Sequence, residues 1–118
     1  MFIAVRGGLT AAALVCLSAC SSLITGGDLI RPGEATGVIE VINQTSNVVD
    51  VVLISECNAS TYGLNRMPDG VGIGTGQSYQ FTVSAGCWDV DAGSFGVGEA
   101  RQRMTVSAGG LTSYTVHD

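Results

Sequence analysis

The sequence predicts an all-β domain, a small antiparallel β-sandwich, over residues 37–118. Three observations predict it. Short β-branched runs recur along this part of the chain, clusters of Gly, Ser and Asn separate them at sandwich spacing, and no helical period persists over ten residues there.

The runs at 38–43 and 48–55 are rich in Val and Ile and are joined by QTSN. The second, VVDVVLIS, is apolar on both faces apart from Asp50, which predicts a central strand. Residues 78–83 alternate, with Tyr79, Phe81 and Val83 on one face and Ser78, Gln80 and Thr82 on the other. Runs at 87–92, 99–106 and 111–116 follow, divided by GSFGVG and SAGG. About six or seven strands result, an immunoglobulin-like architecture.

One hairpin can be registered from its side chains. Pairing Gly93 with Glu99 sets Asp91 opposite Arg101, Asp89 opposite Arg103 and Trp88 opposite Met104. Opposite charges then meet on the solvent face, and sulfur meets an aromatic ring in the core. Cys87 shares the face of the aspartates, so a bridge from it to Cys57 has to clip the loop after the second strand onto the sheet's edge or outer side.

The chain has 118 residues and a formal charge of -5, room for one domain and no large enzyme core. Its apolar residues are concentrated early: residues 7–27 carry no charge and follow MFIAVR. A short cationic start, an apolar run over 9–17 and a stop at small residues form an export signal. The box Leu17, Ser18, Ala19, Cys20 resembles the lipobox of bacterial lipoprotein precursors. The resemblance implies diacylglyceryl thioether formation on Cys20, cleavage between Ala19 and Cys20, and acylation of the new amino terminus. An uncleaved signal anchor is the rival reading, since a spanning helix needs ~20 apolar residues. A zinc site at Cys16 and Cys20 has no second ligand pair to complete it. The expected organisation is a signal peptide at 1–19, a lipidated flexible tether at 20–36 and the β-domain at 37–118.

With Cys16 removed and Cys20 lipidated, Cys57 and Cys87 are left to pair in an oxidising compartment, and we expect a disulfide between them. Residues 20–118 hold four arginines, no lysine and ten carboxylates, a formal charge of -6. Such a domain repels phosphate backbones, so no nucleic-acid partner is expected. The expected membrane partner is reached through the acyl chains on Cys20. Ser21 after the lipidated position leans towards the outer membrane rather than the inner one. The tether, Gly- and Ser-rich, would span about 20–24 Å. Leu29 and Ile30 have an alternative reading as a first edge strand.

Motifs for chemistry are weak. GVGIGTG at 70–76 lacks the spacing of a dinucleotide fingerprint or a P-loop, and DVDAGS at 89–94 lacks the ligands of a calcium loop. His117 is the only histidine and stands beside the C-terminus, where a frayed end is expected. Asn43-Gln-Thr45 and Asn58-Ala-Ser60 read as turn residues rather than glycan acceptors. We expect no catalytic site, metal or cofactor. The long connection at 56–77 is the candidate for function, because connections of that length are usually functional or locally structured. In it Tyr62, Asn65 and Arg66 offer an aromatic surface, an amide and a cation to a carbohydrate or a partner protein. The competing reading has Tyr62, Leu64 and Met67 capping the sandwich.

The succession N-x-[TS], an apolar strand ending in IS, YGLNRM, G-x-S-x-x-F, GCWDV and a final Y-T-V resembles small secreted bacterial β-domains with a GC(Y/W)D strand, over residues 38–117. The resemblance implies an all-β fold and no general biochemical role. Relatives often carry a cysteine where this chain has Ser107 and Ala108, which leaves the family's bridge position open. The function expected is a lipid-anchored binding or structural module of the bacterial envelope. The alternative is an accessory subunit or small enzyme acting on envelope polymers.

Overall fold

A computed structural model describes residues 27–59, 61 and 63–118. Six strands form two three-stranded sheets: β1 (Thr36–Gln44), β2 (Val51–Glu56), β3 (Ser78–Ser84), β4 (Gly86–Ser94), β5 (Gly98–Val106) and β6 (Leu111–His117). One sheet has the order β3-β1-β6 and the other β2-β4-β5. The domain is therefore the small all-β sandwich the sequence predicts. The expected signal peptide with Ala19, and Cys20, Ser60 and Tyr62, lie outside the described residues.

Alternation dictates the packing. Ile39, Val41, Phe81, Val83, Tyr114 and Val116 of the first sheet meet Val52, Ile54, Trp88, Val90, Met104 and Val106 of the second in one core. Trp88 is fully enclosed, and its indole N–H donates to the Ser84 carbonyl at 2.8 Å, so the ring's polar atom has a partner. The β4–β5 register is the one read from the side chains: Trp88 opposite Met104, Asp89 opposite Arg103, Asp91 opposite Arg101, Gly93 opposite Glu99.

Three features differ from a plain antiparallel sandwich with β2 inside and a frayed end. First, β1 and β6 run parallel, with Val38 beside Leu111 and Gln44 beside His117. Second, β4 is central and β2 is an edge strand, which corrects the expectation for VVDVVLIS. Its alternate residues Val52 and Ile54 enter the core while Val51 and Leu53 are half-buried on the outer side, and the long connection lies along the open edge, bridging Leu53 to Asn65 and, just before the strand, Val49 to Ile73. Third, His117 belongs to β6, and the Asp118 carboxylate accepts from the Ser46 amide at 3.0 Å, so the C-terminus is fastened rather than frayed.

Strand directions divide the domain into two poles. At one, residues 27–35 strap the open end of the sandwich. The Leu29 carbonyl accepts from the Ser84 amide at 2.7 Å, the Arg31 amide donates to Ser84 Oγ at 2.7 Å, and the Arg31 guanidinium pairs with Glu34 and Glu56 and lies 5.4 Å from the Trp88 ring centroid. This half of the expected tether is thus held against the domain, with Leu29 packed on the core and not paired as a strand. The Cys57–Cys87 disulfide closes the same pole, its Cα atoms 5.5 Å apart. Cys87 is exposed, so the bridge clips the start of the long connection onto the sheet's outer side, as the register requires.

Candidate functional site

The long connection spends its polar side chains on the chain itself. Asn65 Oδ1 accepts from the amides of Val52 at 2.9 Å and Met67 at 3.1 Å, while its Nδ2 donates to the Asp50 carbonyl at 2.9 Å. The Arg66 amide donates to the Val52 carbonyl at 2.7 Å, and its guanidinium donates to the carbonyls of Ile54 and Gly27, at 2.9 and 2.6 Å from Nη2. Burial lowers the Arg66 pKa, and the nearby Asp28 charge opposes that shift. An edge strand exposes unpaired backbone groups that invite pairing with another chain. Asn65 and Arg66 occupy those groups on β2. Met67 enters the core, as the capping reading expects, whereas Leu64 points to solvent.

At the opposite pole from the strap, the β1–β2 connection, residues 70–77, the β4–β5 turn and the end of β6 come together. Asn43 organises them. It is completely buried, and its Nδ2 donates to the carbonyls of Asn47 and Ile73, both at 2.7 Å. Its Oδ1 accepts from the Thr45 amide at 2.8 Å and from Thr45 Oγ1 at 2.7 Å. Thr75 Oγ1 in turn donates to the Thr45 carbonyl at 2.8 Å. Thr45 is therefore a turn residue, as its sequence suggests, whereas Asn43 belongs to β1 and corrects that expectation: it is paired opposite Val116, and only its side chain caps the bend at 45–47. The glycine-rich segment packs beside them: a side chain at Gly72 would collide with Val48.

This pole presents an apolar tip. Phe95 is 86% exposed and Val97 67%, on the turn between β4 and β5, with Val48 53% exposed on the neighbouring connection. The turn is fixed from below. The Phe95 amide donates to Asp50 Oδ1 at 2.9 Å, Ser94 Oγ donates to the Val48 carbonyl, and Gly96 adopts the left-handed φ of 78° that the turn needs. Open depressions flank the tip. One of about 250 Å³ is bounded by Thr45, Val97, Glu99 and His117, and another of about 350 Å³ by Val51, Asp91, Phe95, Val97 and Glu99.

Asp91 forms part of the second depression. Although it sits on the sheet's outer face, its side chain is only 3% exposed, because Leu53 of β2 and Arg101 of β5 flank it and Glu99 stands diagonally. Arg101 Nε lies 3.2 Å from Asp91 Oδ2, and Arg101 Nη2 lies 2.7 Å from Glu99 Oε1. Asp91 Oδ1 is buried without a hydrogen-bond partner. Burial raises the Asp91 pKa, the neighbouring Glu99 raises it further, and Arg101 opposes both. Glu99 is shifted the other way, chiefly by its contact with Asp91 and then by Arg101.

Sequence reasoning missed this pole. GSFGVG reads as a turn, and its signal was the placing of Phe and Val where turns usually carry polar residues. Of the two described members of the expected loop site, Asn65 borders a separate depression with Asp50, Met67 and Asp69, while Arg66 turns towards Gly27. The structure therefore does not bring them to one cleft. Among the described residues no three His, Cys, Asp or Glu side chains are grouped to hold a metal. Neither a family model nor a curated protein sequence matches this chain.

Proposed function

We propose that this chain is a lipid-anchored lipoprotein of the bacterial cell envelope, more often at the outer than the inner membrane, whose β-domain is a binding module. The observation that carries the reading is polarity of layout. The chain joins the domain at the strapped pole, through residues 27–35, and the exposed Phe95, Val97 and Val48 lie at the other end. A chain tethered through Cys20 would present that far pole away from the lipid.

The Cys57–Cys87 bridge suits an oxidising compartment and supports export. The lipobox-like LSAC supplies the anchor, since two or more acyl chains hold a protein firmly at ~0.8 kcal/mol per buried CH₂. The test is fractionation of cells expressing the wild type and Cys20→Ser. The wild type sediments with membranes and resists high salt, while the variant loses that association. A Cys20→Ser chain that stays in the membrane fraction would favour the uncleaved signal anchor and overturn the proposal.

A further inference from the structure

We propose that the depression beneath the β4–β5 turn is a binding site for a lysine side chain of a partner protein, carried on an apolar stretch of that partner. The inference deepens the binding-module reading and rests on it for its biological setting, but the site itself belongs to the β-domain.

Three features fit one ligand chemistry. The floor holds Asp91, whose buried Oδ1 has no hydrogen-bond partner, with the exposed Glu99 carboxylate beside it. Arg101 supplies one positive charge against these two carboxylates. The walls are apolar: Val51, Phe95 and Val97 line the same depression. A primary ammonium has three donors for carboxylate oxygens, and a lysine's four-carbon stem can lie along apolar walls while its head meets the charge. The Phe95 ring adds a face that attracts cations.

The surroundings narrow the choice of partner. Asp50, Asp69 and Asp118 also stand at this pole, so the field around the tip is negative and repels anionic lipid headgroups. A second copy of the chain is a poor occupant, because the sequence contains no lysine. A bare metal ion would find two carboxylates and leave the apolar walls unused. A heterologous protein surface, basic and apolar together, matches all three features.

The test uses the full chain in phosphatidylcholine nanodiscs and two peptides, N-acetyl-Leu-Lys-Leu-amide and its norleucine counterpart, which keeps the stem and lacks the charge. Peptide is titrated while the backbone amide resonances of residues 91–101 are followed by NMR. We expect saturable shifts with the lysine peptide, centred on Phe95, Val97 and Glu99, and at least fivefold weaker binding of the norleucine peptide. Glu99→Gln and Phe95→Ser, both at exposed positions, should each weaken the lysine peptide at least fivefold. Absence of saturation, equal binding of the two peptides, or unchanged binding by Glu99→Gln would overturn the proposal. So would shifts of the tip produced by added phosphatidylcholine vesicles in place of peptide, which would make it a lipid-inserting loop. The titration reads the β-domain directly, so its failure is distinct from a failure of Cys20 lipidation.

Discussion

Replacing Asn43 by Ala removes the side chain that ties the far pole together, and the structure sets the size of the loss. Four hydrogen bonds disappear, two donated to Asn47 and Ile73 and two accepted from Thr45. The partners are not equally exposed to harm. The Ile73 carbonyl still accepts from the Val49 amide at 3.0 Å, and Asn47 is at the surface where water can replace the bond. The Thr45 amide is buried and loses its acceptor. At a net ~0.5–1.5 kcal/mol per bond, with ~1–3 kcal/mol for one orphaned buried group, the loss is about 3–5 kcal/mol. That is a large share of a typical domain stability of ~5–15 kcal/mol. It should lower Tm by at least about 12 °C. Urea titration followed by the fluorescence of Trp88 reads it, because that ring is buried in the other sheet and reports global unfolding. Asn43→Asp should cost more at neutral pH, since a carboxylate oxygen would then face the Asn47 and Ile73 carbonyls. A buried carboxyl has its pKa raised, so that extra cost shrinks as pH falls and the group takes up its proton. An Asn43→Ala protein within 1 kcal/mol of wild type, at unchanged m-value, would refute the network's role.

Three further outcomes follow from the same structure. The double variant Cys57→Ser, Cys87→Ser opens a loop of sequence separation 30 and should lose about 3.5 kcal/mol in denaturant titration, whereas a loss under 1 kcal/mol would contradict the chain-entropy account. Asn65→Ala uncovers the Val52 amide and the Asp50 carbonyl on the β2 edge, so amide exchange at Val52 should accelerate, and equal protection in both proteins would show that the edge is held by other contacts. Asp91 has its pKa raised by burial first and Glu99 second, so its ionisation weakens the fold as pH rises from the ordinary carboxylate range through the raised value. Asp91→Asn should therefore stabilise the protein at pH 7 and change little at pH 3, with a loss at pH 7 indicating that the Arg101 pair outweighs burial.

Much of the fold was legible because each strand carries its own periodicity. The β4–β5 register was readable residue by residue, since only one alignment places Asp89 and Asp91 opposite Arg103 and Arg101 while Trp88 meets Met104. The disulfide was readable because Cys57 and Cys87 are the two cysteines outside the segment that resembles an export signal and lipobox. The edge position of β2 was not, because its outer groups are satisfied by Asn65 and Arg66, more than ten residues away along the chain. Nor was the parallel β1–β6 pairing, which no local pattern encodes. The burial of Asp91 also escaped the sequence: alternation assigns it to the outer face, and only the neighbours Leu53, Glu99 and Arg101 decide that this part of the face is covered. The long connection looked like the functional loop because of its length, yet Asn65 and Arg66 serve the sheet edge. The tip was hidden by its brevity.

The central claim is that this β-domain is held to a membrane through Cys20 and works through its far pole. Intact-mass measurement of the chain extracted from membranes tests the anchor most directly. The account predicts a mature protein beginning at Cys20, heavier than the polypeptide by a diacylglyceryl group and an amino-terminal acyl chain, with Cys57 and Cys87 two hydrogens short of the dithiol. A chain that retains unmodified Met1, or one that starts after Cys20 without lipid, would contradict it.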